Sequence, residues 1–270
     1  MTNIAATQAP NSAGAPGSAS KSARLKRIVI LGASSGIALG IQRQLARRHC
    51  ELLLVARSPQ RLAALQTDLL IRGASQVLTY SADLSAIAQH NGIVEFACRA
   101  FPDFDTVLLA YGSMQNQRDC ESSIEVLLEE LQVDFVSATA ILTLFATELE
   151  RRRTGCIAAI TSVAGDRGRR SNYVYGSAKG GLSLFLQGLR SRLHPAGVRV
   201  ITIKPGPVQT PMTDGLPHAA HFADPQQVAR DIVASLERGS PDVLYTLGIW
   251  RYIMTAVKLV PETIFKRLPL

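Results

Sequence analysis

One short stretch, TSVAGDRGRRSNYVYGSAK at residues 161–179, holds a serine, a tyrosine and a lysine of the kind that move a proton to or from a substrate oxygen. Tyr175 and Lys179 are four residues apart, so a helix over this segment stacks their side chains on one face, about one turn apart. A free tyrosine, with a pKa near ~10, is a poor acid at neutral pH. A lysine cation beside it favours the phenolate and draws the hydroxyl toward a working range. Ser162 ends the apolar run 156–161 and could donate a hydrogen bond to the same substrate oxygen. The set supplies one proton donor and one polariser. By itself, a Tyr/Lys pair also describes a solvated helix face, and short motifs match by chance. A dinucleotide site upstream is what would lift it.

Such a site is present in the elements that must position these residues. Residues 27–31 read as a short apolar strand, followed at once by GASSGIALG (32–40) and a helix-like stretch, IQRQLARRH. In that order, backbone N–H groups and the helix N-terminus cradle a pyrophosphate. The candidate contacts in the turn are Gly32, Ser34, Ser35, Gly36 and Ile37; Ala38 stands where a third glycine is frequent. The second strand, 51–56, ends at Ala56 and Arg57. With no carboxylate there for a ribose 2′-hydroxyl, and an arginine suited to a 2′-phosphate, NADP(H) is preferred and NAD(H) is the alternative.

A third strand, 76–80, runs into SADLS, where Asp83 and Leu84 are candidate cofactor contacts. Asp83 equally reads as the cap of a helix starting at Ser85. A fourth strand, 105–110, runs into Tyr111 and Gly112; Ala110 and Gly112 are small enough for a cofactor to pass. Residues 121–150 read as one long helix, 155–162 as strand five, 172–193 as the helix of Tyr175 and Lys179, and 198–204 as strand six. The alternation predicts an α/β fold: a Rossmann-type, doubly wound parallel sheet of about seven strands with helices on both faces. Ligands of such folds bind at the strands' C-terminal ends.

A chain of 270 residues, 47% apolar, suits one large domain, expected over residues 24–247. Residues 1–23, rich in Ala, Ser, Pro and Gly, read as a disordered tail and not as a secretion signal. Residues 248–270 read as an amphipathic C-terminal extension. The net charge of +8, mostly arginine, favours anionic partners such as phosphate-bearing ligands or lipid headgroups, and no nucleic-acid module is visible. No run approaches the ~18 apolar residues of a membrane span. Cys50, Cys98, Cys120 and Cys156 form no CxxC pair, so buried thiols in a reducing cytoplasm, neither disulfide-bonded nor metal-bound, are expected. The five histidines, including His218 and His221, have no ligand-like spacing.

With GASSGIA near its start, ADL after strand three, and Ser162, Tyr175 and Lys179 in order, the sequence from Leu25 to about residue 247 resembles the short-chain dehydrogenase/reductase superfamily. The resemblance implies an NAD(P)-dependent enzyme in which Tyr175 is the acid/base and Ser162 orients the carbonyl or alcohol. Lys179 would then bind the nicotinamide ribose and lower the tyrosine's pKa. Pro205, Gly206, Val208 and Thr210 match the loop that closes over the nicotinamide, and Tyr173 has no lysine partner, since the residue four beyond it is Ser177. A fourth catalytic residue of that superfamily is an asparagine in the helix before strand five, and the matching place in LQVDFVSA is Asp134. This aspartate either disturbs the proton relay by its charge or pairs with a nearby basic group.

SVAGDRGRRSNYVYGSAK, AYG at 110–112 and the terminal WRYIMTAVKLVPETIFKRLPL are similar to the decaprenylphosphoryl-2-keto-D-erythropentose reductases. That similarity implies a lipid-linked keto-sugar substrate on the way to a cell-envelope arabinose donor. Arg167, Arg169 and Arg170 could bind its phosphate, since guanidinium forks match phosphate oxygens, or form a solvated loop. Trp250, Tyr252, Ile253, Leu259 and Phe265, interspersed with Arg251, Lys258, Lys266 and Arg267, suit a peripheral helix pair on the inner face of a membrane. They equally suit docking on a partner subunit or on the domain. Two rival functions stay open: reduction of a small soluble or acyl ketone, and a non-catalytic dinucleotide-binding or membrane-docking protein. Apolar positions such as Val126, Leu127, Leu184 and Leu186 suit a homo-oligomer, or cover the sheet.

Overall fold

The computed structural model describes residues 25–214 and 222–268. The expected tail at 1–23, and His218 and His221, lie outside the described residues. Seven parallel strands form one sheet in the order β3-β2-β1-β4-β5-β6-β7. They are β1 (Arg27–Leu31), β2 (Glu51–Ala56), β3 (Gln76–Ser81), β4 (Thr106–Leu109), β5 (Cys156–Ile160), β6 (Arg199–Lys204) and β7 (Val243–Tyr245). The first six match the sequence expectation to within two residues. β7 is three residues long, too short to carry an alternation signal.

The inner strands are apolar along their whole length because both sheet faces are covered. Successive side chains point to opposite faces. Ile28 and Ile30 of β1 therefore pack with α1 (Gly36–Ala46), α2 (Pro59–Ile71) and, from far along the chain, α8 (Pro225–Arg238). Val29 and Leu31 pack with α3 (His90–Ala100), α6 (Ser137–Arg152) and α7 (Tyr173–Leu193). Each helix contributes a stripe at helical spacing: Ile41 and Leu45 from α1, Val228, Ile232 and Leu236 from α8, Leu182 and Leu186 from α7. On the second face Phe145 of α6 meets Phe104 edge-on, ring centroids 5.7 Å apart. Truncating such a buried ring costs roughly 3–5 kcal/mol.

The segment expected as one helix over 121–150 is divided. α4 (Gln117–Ser122) ends at Ser123, whose extended backbone lets its Oγ accept from the Val126 amide (3.3 Å) and cap α5 (Ile124–Leu131). A five-residue π-helical segment, Gln132–Val136, then joins α5 to α6. Such wide turns inside helices are frequent at functional sites. A second difference follows Asp83: the backbone makes a turn and a short 3-10 helix (Ile87–Gln89), so α3 begins at His90 and not at Ser85. Two helices follow β7, α9 (Ile249–Leu259) and α10 (Glu262–Phe265), separated at Pro261 as expected. No helix of the described residues is long and apolar enough to cross a membrane.

Strand order reverses between β1 and β4, since β2 and β3 extend the sheet one way and β4 to β7 the other. A crevice opens at such a reversal, beyond the strands' C-terminal ends.

Candidate active site

A cavity of about 790 Å³ occupies that crevice. Its walls are the turn after β1, the ends of β2 and β4, the loop after β5, the first turns of α7 and the loop after β6. Of the sequence-assigned residues, Gly32, Ser34, Ser35, Gly36, Ile37, Arg57, Asp83, Leu84, Ala110, Gly112, Ser162, Tyr175, Lys179, Pro205, Gly206, Val208 and Thr210 all line it. Asp134 lies just behind the wall, bonded to Lys179. Arg169 reaches the cavity; Arg167 and Arg170 do not.

The turn after β1 follows from its residues. Gly32 has φ +88°, in the left-handed region, and a Cβ there would lie 2.5 Å from that of Tyr111, so only glycine fits. Ser35 Oγ accepts from the Ala38 amide (3.2 Å) and starts α1 with its N-terminus toward the cavity. Arg57 directly follows β2, beside Asp83. The Asp83 carboxylate accepts from Ser85, amide at 3.0 Å and hydroxyl at 2.8 Å. Burial works against its charge, but these bonds and Arg57 outweigh it and hold the carboxyl below the usual range. A positive-φ glycine, a helix N-terminus and an arginine around one cleft fit a dinucleotide phosphate chain, with room for a 2′-phosphate at Arg57.

The end of the cavity that holds Ser162, Tyr175 and Lys179 depends on glycine again. Gly165, in the loop after β5, rests on Gly180 of α7: a Cβ on Gly165 would lie 2.6 Å from the Gly180 amide nitrogen. That contact brings Ser162 to the same wall as Tyr175, with the serine Oγ accepting from the Ala164 amide (3.1 Å). Lys179 Nζ lies 5.7 Å from the Tyr175 ring centroid and donates to Asp134 Oδ1 at 2.9 Å, with both partners buried. Gly112 makes room for this pair, because a Cβ on it would fall 2.5 Å from Asp134 Oδ1 and 2.8 Å from Lys179 Nζ. Asp134 thus pairs with a basic group, and its charge also reaches Tyr175.

Electrostatics shift accordingly. Burial pushes the Tyr175 hydroxyl above the ordinary tyrosine range; Lys179 and Ser162 pull it down, and Asp134 and Glu130 push it up. The lysine acts in the expected direction, but the aspartate offsets it and burial outweighs it. Burial likewise opposes the Lys179 charge, yet Asp134, Tyr175 and Glu130 together hold its ammonium above the usual lysine range.

The arginines separate. Arg167 Nη1 donates to the carbonyls of Val257 (2.7 Å) and Val260, Nη2 bonds the Glu262 carboxylate (3.0 Å), and the guanidinium covers the Phe265 ring at 3.8 Å. It clamps α9 to α10 instead of facing the cavity. Arg170 is exposed. Arg169 is half-buried, contacts Met254 Sδ (3.4 Å), and keeps Nε without a hydrogen-bond partner at the cavity wall.

Several site residues are not among those that the sequence motifs single out. Ser113, Gln115 and Asn172 line the cavity. Glu130, wholly buried, accepts from Ser113 Oγ (2.8 Å) and the Gln115 amide (3.1 Å) through Oε2. Its place four residues before Asp134 could have marked it on the same helix face. Asp166 accepts from Lys204 and from the Tyr245 hydroxyl (2.6 Å), tying the loop after β5 to β6 and β7.

Residues 26–220 match the family model of short chain dehydrogenases. An uncharacterized oxidoreductase of Mycobacterium tuberculosis is 32% identical over 242 residues, 90% of this chain and 96% of the relative. A short chain dehydrogenase from Burkholderia cenocepacia, solved in complex with NADP, superposes with a TM-score of 0.77 at 20% identity, covering 92% of this chain and 98% of that one. Actinorhodin polyketide ketoreductase, solved with NADPH, gives a TM-score of 0.74 at 20% identity, covering 83% and 96%. Family match, relative and fold agree with the Ser, Tyr and Lys around the cavity: this chain belongs to the short-chain dehydrogenase family of oxidoreductases.

Proposed function

We propose that this chain is an NADPH-dependent reductase that converts a ketone to an alcohol. The observation that carries the reading is the meeting of Ser162, Tyr175 and Lys179 in the same cavity as the Gly32 turn and Arg57. NADPH bound along that cavity supplies the hydride. Tyr175 gives its proton to the carbonyl oxygen while Ser162 Oγ donates a hydrogen bond to the same oxygen, so charge does not accumulate there. Lys179 holds positive charge beside the tyrosine, favouring the phenolate left behind. Thr210 of the loop after β6 packs against Gly36 of the turn after β1, where a Cβ would lie 2.8 Å from Thr210 Cγ2, so the two cofactor loops meet across the cavity. NADH is the weaker cofactor in this reading, because Arg57 has a 2′-phosphate to meet only in NADPH.

For the substrate we propose a ketone that carries an anionic group, specifically the keto-sugar of a polyprenylphosphoryl pentose. Arg169 supports this, since its buried Nε has no partner inside the protein and a phosphate oxygen would supply one. The C-terminal helices support it too. Tyr252 (76% exposed) and Leu259 (77%) present apolar surface beside the exposed Arg251, Lys258, Lys266 and Arg267, as a peripheral membrane contact requires. The likeness to a polyketide ketoreductase favours a second reading, reduction of a soluble or acyl ketone.

The test is nicotinamide oxidation with decaprenylphosphoryl-2-keto-erythropentose in detergent, wild type against Tyr175→Phe. Turnover abolished in the variant is the expected result. Binding of NADPH with no turnover of this substrate, but turnover of an acyl ketone, would move the assignment to the second reading. Binding without turnover of either leaves a non-catalytic dinucleotide-binding protein.

A further inference from the structure

Two carboxylates lie buried behind the catalytic lysine, and the pair has one oxygen too many on each side. Glu130 has no exposed surface and Asp134 is 1% exposed. Each uses one oxygen. Glu130 Oε2 accepts from Ser113 and Gln115, and Asp134 Oδ1 accepts from Lys179 and from the Ser113 amide at 3.1 Å. The other two, Glu130 Oε1 and Asp134 Oδ2, are buried without a hydrogen-bond partner. An ionised carboxylate only accepts, so two of them cannot satisfy one another. Burying both charges against a single ammonium also leaves one charge uncompensated, which is costly.

One proton between the two orphaned oxygens removes both defects. We propose that Glu130 and Asp134 share a single proton, and that Glu130, by holding it, sets the acidity of Tyr175 from one residue further back than Lys179. This goes beyond the reductase reading and rests on it only for the kinetic consequence.

The charged and titratable groups facing Glu130 are Asp134 on the π-helical segment, Lys179 and Tyr175 on α7, and Cys120 on α4. Burial first, then Asp134, pushes the Glu130 carboxyl up to about 7, so the proton is held at neutral pH and lost just above it. A charged Glu130 pushes Tyr175 further up, making it a weaker acid. A neutral Glu130 removes that push. Carbonyl reduction therefore slows as pH rises through Glu130's titration, and Glu130 acts as a positioning residue for the proton.

The experiment begins with wild-type protein carrying ¹³C at its glutamate and aspartate carboxyl carbons, titrated by NMR without substrate. One glutamate resonance titrating near about 7, far above the ordinary range near ~4.3, is expected. If every glutamate titrates in the ordinary range, the shared proton does not exist and the proposal falls, whatever the enzyme reduces. Glu130→Gln, whose amide N–H can replace the proton toward Asp134, should delete that resonance. It should also flatten the neutral step in the kcat–pH profile of ketone reduction with NADPH, keeping the rate at high pH. A step that persists unchanged in Glu130→Gln overturns the coupling to Tyr175. Failure of the protein to turn over any ketone would sink the reductase reading while the NMR result still decides the shared proton.

Discussion

The indole of Trp250 occupies the space a side chain on Gly206 would fill: a Cβ there would overlap Nε1 and Cε2 of the ring. Gly206 lies in the cavity wall and Trp250 in the first turn of α9, so the C-terminal helices bear directly on the loop after β6. Gly206→Ala should destabilise the protein by roughly 1–3 kcal/mol through overpacking, seen as a lower Tm. Adding Trp250→Ala should recover most of that loss. Additive losses in the double variant would mean that the two residues do not compete for one space.

Arg167 joins α9 to α10 through three carbonyls, one carboxylate and one ring. Its replacement by alanine should loosen both helices while leaving the sheet intact. Hydrogen exchange is the measurement: protection should fall across 249–265 by the equivalent of about 1–3 kcal/mol, with little change in β1 to β6. Uniform loss across the chain would contradict the clamp.

Arg57 is the exposed guanidinium at the end of β2, beside Asp83. Arg57→Ala should weaken NADPH binding by roughly ten- to a hundred-fold, the scale of one or two charge-assisted hydrogen bonds, and leave NADH nearly unchanged. Calorimetry with each nucleotide decides it. Equal losses for both would remove the 2′-phosphate from its role.

Glu130 binds its proton more tightly folded, at about 7, than as an ordinary carboxyl at 4.5. A raised folded pKa gives stability that is present below the unfolded value and lost as pH rises through the folded one. Wild type should therefore lose on the order of 1–3 kcal/mol between about pH 5 and about pH 8 that Glu130→Gln keeps. Denaturant unfolding at both ends measures this. A parallel loss in the variant would assign the slope to another group.

Tyr252, Leu259 and Ile264 are exposed on the C-terminal helices among basic residues. The protein should cosediment with anionic vesicles and much less with neutral ones, with binding reduced by salt and by Tyr252→Ser with Leu259→Ser. Equal recovery with either vesicle, or none, would leave these helices without a membrane role.

The strands were legible because a buried parallel strand must be apolar along its length, and runs such as ELLLVA and CIAAI can be little else. The glycine turn, the Tyr/Lys spacing and the loop at 205–212 were legible because each sets a local geometry with few substitutes. The breaks in the segment 121–150 were less visible. Ser123 is an ordinary residue in a helix-like stretch, and a π turn has no composition of its own. The arginine run illustrates the limit: RGRR gives three guanidiniums one description, whereas Arg167 clamps a helix pair, Arg169 reaches the cavity and Arg170 faces solvent.

By itself, then, the sequence determined the order of elements, the sheet and the residue types at the ends of its strands, since periodicity and glycine placement act over a few residues. Only the tertiary structure decided which charges meet. Asp134 and Lys179 are 45 residues apart, and Glu130, Ser113 and Tyr175 come from different elements. Their pairing, and hence the direction in which Tyr175 shifts, depends on burial and distance across packed helices, quantities that no local spacing encodes.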